Sequence, residues 1–592
     1  MKINRIKIEN YRNLRNVDVP LGKLAALVGE NNSGKSNFLR AISLPLSSDD
    51  GASKSLSWHD INNDAKAEYY KFLEEQREAI TDGALSAEEL FKHAPIVTVT
   101  IDFEGGELDQ YDLKDLLVKD ETEELVARIQ YSWRVADPQK LLEHVRDLLS
   151  IDGDVQAVRM GLLPMNFYRH ELKVPDGVGG GKVSYDTLTR FRHVMLPAER
   201  DNFAASTDRL GSRALVSLFQ EGLNPDAQKS IEEEYGHLVE TIRDKANLEE
   251  ILNWQQYSDV TNAQEFFKKI SVLPNMPPMS SILSGIRLGY GDENIAFQGL
   301  GHRNLILMAV MLNAYLSDVQ DISLRIMSVE EPEAHLCVNN VLLMASFFKV
   351  FGESNNRTQI VYSTHDSEFV NKVGLEGVIV LHDGAAFSLR EALGEEGLGY
   401  LAKNPNTDIF KLLFSQTLVL VEGLTEELLI KSYLQTRPEL NNIKVLTFHK
   451  GYTDIIEIWK AINEGSTSRL GVIRDFDDQP NAQAKHEALE DNQVCVATTK
   501  GYTLETEIAA AGKNHELLVA KYGNDFGWAS KTSDELGKGA KIDGKADIML
   551  TICRDLVAGE LEGFTMPQHV QKVLDFLGMP LSADSEVQKA LS

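Results

Sequence analysis

LAALVGENNSGKSNFLRAI, Leu24 to Ile42, is the stretch on which the fold of this chain turns. Leu24–Val28 is a short apolar run of the length a buried strand needs. Gly29–Gly34 is rich in glycine and asparagine and reads as a loop, and Lys35–Ile42 places its apolar residues at helical spacing. Strand, loop and helix therefore follow one another around Gly29-x-x-x-x-Gly34-Lys35-Ser36. This pattern suits phosphate: glycines let backbone N–H groups wrap the anion, and the start of a helix adds positive potential. Gly29, Asn31, Asn32, Ser33, Gly34, Lys35, Ser36 and Asn37 are the expected nucleotide-binding residues. Lys35 is expected to bridge the β- and γ-phosphates of ATP, and the Ser36 hydroxyl to ligate Mg²⁺.

Further along, the apolar run Ile326–Val329 ends in Glu330-Glu331-Pro332-Glu333-Ala334-His335. A strand points neighbouring side chains to opposite sides, so two adjacent carboxylates at its end can serve two tasks. Glu330 suits the water shell of Mg²⁺, and Glu331 suits orienting or deprotonating an attacking water. His365 follows the apolar run Gln359–Tyr362, where it is placed to contact a γ-phosphate. Phe297-Gln298-Gly299-Leu300-Gly301-His302-Arg303, followed by an apolar helix, resembles the signature loop of ABC-type ATPases. It departs from the usual Leu-Ser-Gly-Gly-Gln/Glu form, so Gly299 and Gly301 carry the assignment. The resemblance implies ATP held between two subunits, and hence a homodimer or a higher even oligomer.

A second chemical centre lies beyond residue 410. The apolar strand Leu418–Val421 delivers Glu422-Gly423, with Glu426 one helical turn further on. About fifty residues later another apolar strand, Leu470–Ile473, delivers Asp475-x-Asp477, with Asp478 adjacent. Carboxylates at the C-terminal ends of two strands converge across a sheet edge. Hard oxygen donors clustered this way suit Mg²⁺ or Mn²⁺, and such ions activate water and stabilise the leaving oxygen of a phosphodiester. Glu505 and Glu507 in LETEI are candidates for a second ion, and Lys545 in DGKAD, ahead of Lys541, for offsetting transition-state charge. Any one of these acids alone reads as surface charge; the pairing of strand ends makes the case.

The bulk numbers bound the answer. At 592 residues, 43% hydrophobic and 25% charged, the chain has room for two to four globular domains. The apolar stretch Leu305–Leu316 is too short to span a bilayer, and the N-terminus alternates like a strand rather than presenting a signal peptide. Cys337, Cys495 and Cys553 lie too far apart for a zinc spacing, so a reducing cytoplasm is the expected setting. A net charge of −29 argues against a chain that coats DNA over its whole surface. Charge is uneven, however: residues 1–40 hold eight Lys/Arg against three acids, and Arg190–Arg213 is also basic. Ile96–Phe103 and Leu125–Val135 alternate apolar and polar, predicting an antiparallel lobe, and residues 205–272 are patterned as helix.

The order IKIENYRNL, GENNSGKS, EEPEAHL, STHD, VEGLTEE and RDFDD resembles that of the OLD (overcoming lysogenization defect) nucleases over nearly the whole chain. The resemblance implies an α/β protein: an ABC-type ATPase head over 1–204 and 276–400 and a helical, dimerising insertion over 205–275. A Toprim domain over 410–515 and a helical C-terminal region over 516–592 complete it. It implies that Glu422 is the Toprim glutamate, that Asp475 and Asp477 are its DxD pair, and that Glu426 and the Glu505 region help bind metal. It further implies DNA as substrate, a role in bacterial anti-phage defence, and action alone, beside a helicase-like partner as in Gabija systems, or with a retron reverse transcriptase and its RNA–DNA product. The N-terminal half also resembles the RecF and SMC ATPases, which keeps a non-cleaving DNA-binding ATPase as the alternative.

Overall fold

The computed structural model describes the chain apart from residues 49–52, 120–122, 152–154, 176–180, 199–209, 247–258, 260–261, 263–264, 267–268, 271–274, 276, 287, 317–321, 355–356, 383, 404–407, 449–451, 465, 477–478, 501–503, 528, 537–544 and 579–592. The chain divides into two compact units. The first takes Met1–Asn16, Pro20–Ala25 and Ser36–Thr364; the second takes Val17–Val19, Ala26–Lys35 and His365–Ser592.

In the first unit, the strand Lys2–Tyr11 pairs antiparallel with Val97–Glu104, and that strand with Leu125–Val135. Leu125–Val135 also takes Leu117–Lys119 and Tyr168–Lys173 as antiparallel neighbours, so the expected antiparallel lobe is present. Its alternation follows from having one buried face: Ile3, Ile6 and Ile8 are inside while Glu9 is out. The parallel strands behave differently. Leu324–Glu330 lies between Phe191–Leu196 and Thr358–Ser363, all parallel, and Leu324 to Val329 and Thr358 to Ser363 are buried without a break. Burial on both faces is why these stretches read as continuous apolar runs rather than alternating ones. The helix Leu300–Leu316 packs on Leu210–Gly222 and on Val338–Glu353. Leu210–Gly222 and the long helix Pro225–Ala246 fall in the stretch patterned as helix.

In the second unit, Ala26–Gly29 pairs in parallel with Val378–His382, which turns back as the antiparallel strand Ala385–Ser388. The helix Leu389–Ala402 follows, broken at Gly394 (φ 65°, ψ −177°). Beyond Gly394 the chain stays helical as far as Ala402, because Leu398 and Leu401 are buried and that contact overrides the low propensity of the glycines. A four-stranded parallel sheet comes next, in the order Lys444–Thr447, Thr417–Val421, Arg469–Arg474, Val494–Thr498. One face is covered by Leu424–Gln435, Lys545–Val557 and Gln568–Gly578 around a core of Val419, Val421, Ile473, Cys495 and Val573. Gly471 makes the last helix fit: a Cβ there would sit 2.2 Å from Val573 Cγ1 and 3.1 Å from Leu577 Cδ1. Among the described residues no helix is long and apolar enough to cross a membrane.

Candidate phosphate loop and acidic centre

The phosphate loop is shaped by its own packing. Ala25 to Gly29 are buried, which fixes the strand end from which the loop departs. Gly29 has no room for a side chain: a Cβ would lie 2.4 Å from Ser33 Oγ and 2.6 Å from the Leu381 carbonyl oxygen. Asn32 (φ 68°) and Gly34 (φ 108°) turn the chain through the left-handed region, which asparagine and glycine tolerate best. Lys35 is 7% exposed, and its Nζ donates to the carbonyls of Gly29 at 2.8 Å and Glu30 at 2.9 Å. Ser33 Oγ is buried without a hydrogen-bond partner, an acceptor or donor held in reserve within the cradle. Asn31 and Ser36 face solvent. These features fit a bound phosphate chain. Asn37 is engaged elsewhere: its Nδ2 donates to Asn13 Oδ1 at 2.8 Å and its Oδ1 accepts from Arg12 at 2.9 Å. Arg12, itself at φ 52°, pairs with Asp60 at 2.8 Å.

In the first unit, Glu330 and Glu331 stand at the C-terminal end of Leu324–Glu330. Glu331 sits at φ 42°, uncommon for a non-glycine residue, and its N–H donates to the Ser363 carbonyl at 2.9 Å. The ends of two parallel strands are thus tied where the acids emerge. The turn that follows is held from outside as well. Thr364 Oγ1 donates to Glu333 Oε1 at 2.6 Å, and Asn304 Nδ2 donates to the Ala334 carbonyl at 2.9 Å. Gly301 belongs to this packing: a Cβ there would approach the His335 carbonyl oxygen to 2.5 Å, whereas Gly299 has open space around it. His365, next after Thr364, is exposed.

The acidic centre is built on the parallel sheet of the second unit. Thr417–Val421 and Arg469–Arg474 are adjacent and in register, Val421 opposite Ile473. Glu422 and Asp475 therefore leave neighbouring strand ends, and the Asp475 N–H donates to Glu422 Oε2 at 3.2 Å. Glu426 is 4% exposed; its Oε2 accepts from Thr425 Oγ1 at 3.2 Å and would lie 3.0 Å from a Cβ on Gly423. That glycine lets the carboxylate fold back over the start of its own helix. Acids in the first turn also suit the helix dipole. Glu427 is turned away: burial pushes its carboxyl up, but Lys431 and Thr447 bond it and hold it below its usual range.

Glu505 is 5% exposed in the first turn of Leu504–Ala510, and Glu507 follows it there. Glu507 interacts with His569, a residue the sequence reading passed over; burial pushes that imidazole down to about 4 against the opposing pull of Glu507. Lys545 opens the helix Lys545–Val557, which packs on the Glu426 helix Leu424–Gln435. Asp477, Asp478 and Lys541 lie outside the described residues. Among the described residues, no three His, Cys, Asp or Glu side chains gather closely enough to hold an ion. Glu422 and Asp475 come together; Glu505 and Glu507 do not join them in such a group. The donors present are all oxygen, which fits a hard divalent cation in kind. A further missed residue is Thr499, whose N–H and hydroxyl both bond the loop around Asp475.

The AAA ATPase domain family matches residues 1–130 and 199–370, more than half of the chain. Over 370 residues the chain is 23% identical to an endonuclease GajA of Bacillus cereus (strain HuB5-5), covering 48% of this chain and 54% of that protein. A stretch of 44 residues is 48% identical to an OLD nuclease of Thermus scotoductus (strain ATCC 700910 / SA-01), 7% of this chain and 8% of that one. The chain thus spans about half the length of the first of these curated relatives and far less of the second. An SMC head domain from Thermotoga maritima aligns at 12% identity, 65% of this chain, 98% of that one and a TM-score of 0.27. An SMC head bound to the C-winged helix domain of ScpA aligns at 14% identity, 66% of this chain, 100% of that one and a TM-score of 0.28. Matched over more than half of its length, through both nucleotide motifs, and similar over part of its length to two curated nucleases, the chain belongs to the AAA ATPase domain family.

Proposed function

We propose that this protein is an ATP-hydrolysing, divalent-metal-dependent DNA endonuclease in which the ATPase head gates a Toprim nuclease site. The observation that carries the reading is the meeting of Glu422 and Asp475 at adjacent parallel strand ends, with the carboxylate of one on the backbone N–H of the other. A cation bound there supplies a polarised water and charge stabilisation at the scissile phosphate. Glu422, Asp475 and Asp477 hold it, Glu426 supports Glu422 from the first helical turn, and Glu505 and Glu507 serve a second ion. Lys545 offsets developing charge. In the head, Lys35 and the loop amides bind ATP, Ser36 and Glu330 hold Mg²⁺, Glu331 orients the attacking water, and His365 faces the γ-phosphate. Gly299 and the helix after it serve the nucleotide of a second copy, so that a homodimer is the smallest active unit. The proposed domain bounds are 1–204 and 276–400 for the head, 205–275 for the dimerising insertion, 410–515 for Toprim and 516–592 for the closing helices.

The named activity of the B. cereus relative, an endonuclease, supports a cleaving rather than a merely binding protein. A place in bacterial anti-phage defence, alone or beside a helicase-like protein or a reverse transcriptase, follows from the same reading. The test is cutting of supercoiled plasmid with Mg²⁺ or Mn²⁺, with and without ATP. Asp475→Ala should lower cutting by about 100-fold or more while ATP hydrolysis stays near the parental rate. An Asp475→Ala protein that cuts as the parent does would overturn the metal site.

A further inference from the structure

Asp475 is bracketed. On one side its own N–H donates to Glu422 Oε2 at 3.2 Å. On the other side stands Thr499, 3% exposed, just beyond the strand Val494–Thr498. The Thr499 N–H donates to the Arg474 carbonyl at 3.1 Å, and the Phe476 N–H donates to Thr499 Oγ1 at 2.9 Å. Asp475 is the single residue between those two bonds. The parallel ladder ends with Arg474 opposite Thr498, so the hydroxyl continues by side chain what the backbone ladder no longer supplies. Phe476 is committed at both polar groups, since its carbonyl accepts from the Gln479 N–H at 2.9 Å.

We infer that Thr499 is a positioning residue of the acidic centre: its hydroxyl fixes the main chain that carries Asp475, and so sets that carboxylate for a divalent cation. This rests on the nuclease reading above. The chemistry is specific to an acceptor at that atom. A valine has the shape of threonine but leaves the Phe476 N–H without its acceptor, and a serine restores it. Partners that orient metal ligands typically change metal affinity 10- to 100-fold when removed.

The experiment measures Mn²⁺ binding to the nucleotide-free, full-length protein by calorimetry, beside plasmid cutting across a Mn²⁺ titration. The variants are Thr499→Val, Thr499→Ser and Asp475→Ala. The component of binding lost in Asp475→Ala defines the site. In Thr499→Val that component should weaken about tenfold, and the Mn²⁺ needed for half-maximal cutting should rise by the same factor. Cutting should recover toward the parental maximum at saturating Mn²⁺, and Thr499→Ser should bind as the parent does. Parental binding by Thr499→Val, or a Thr499→Ser protein as impaired as Thr499→Val, would overturn the inference while leaving the site standing. Parental binding by Asp475→Ala would overturn the nuclease site itself and the inference with it.

Discussion

At the scale of single residues, the two chemical centres depend on atoms that are missing as much as on those present. Gly29 is surrounded so closely that a methyl group would meet Ser33 Oγ at 2.4 Å and a main-chain oxygen, Leu381 O, at 2.6 Å. A serine rotamer can yield, but a carbonyl in a paired strand cannot move without its neighbours. Gly29→Ala should therefore distort the loop and weaken ATP binding by about tenfold or more, the order of one lost well-placed contact set. Titration of a fluorescent ATP analogue would show it, and parental affinity would refute the crowding argument. Gly29, Lys35 and the acids were legible in the sequence because each belongs to a short contiguous pattern. Thr499 was not, because its partner, Phe476, is 23 residues away and only strand pairing brings them together. Asn37 shows the converse: it belongs to the phosphate-loop motif, yet its side chain is taken up by Arg12 and Asn13.

Among elements, the helices behind the acidic sheet are joined by a buried ion network. Asp555, 4% exposed on Lys545–Val557, accepts from the Tyr522 hydroxyl at 2.7 Å, Arg554 Nε at 2.9 Å and lies 3.1 Å from Lys521 Nζ. Burial alone would push its carboxyl up, but these three donors outweigh it and hold the group at about 2, below the ordinary 3.8. A depressed carboxyl stabilises the folded state above the unfolded value, so this contribution is full above pH 3.8 and is lost as pH falls from there toward 2. The shift corresponds to roughly 2 kcal/mol. Asp555→Asn should lose about that much in urea unfolding at pH 7, with the gap to the parent narrowing below pH 3.8. A gap that is absent at pH 7 would show that the network contributes nothing net. Element types were readable from periodicity, including the antiparallel lobe and the buried parallel strands. Which helix covers which strand was not: Gly471 reads as an ordinary strand glycine until Val573 is found 2.2 Å from where its Cβ would be.

For the molecule as a whole, a net charge of −29 leaves little general attraction for DNA, so the DNA binding proposed above would rest on local basic surface and on cations held by the acidic residues. The proposed sharing of ATP between two copies also predicts a dependence of assembly on nucleotide. If ATP is completed by a second copy, a protein that binds but does not hydrolyse it should accumulate as an even oligomer. Glu331→Gln with ATP and Mg²⁺ should show this in light scattering, relative to the same protein without nucleotide; unchanged mass would argue against a shared site. The motif order made the phosphate loop and the acidic strand ends legible as separate patterns in the sequence, whereas the direction of the proposed control between them is a property of motion between states and leaves no local pattern. The Lys35 ammonium is seated on the carbonyls of Gly29 and Glu30, so a phosphate oxygen competes for it with two main-chain acceptors. Incoming phosphates exchange for those carbonyls rather than filling a void, so affinity is the difference between two bonded states. The same two carbonyls therefore tune how tightly the loop holds a phosphate chain, and they do so from the backbone, where no side-chain substitution can remove them.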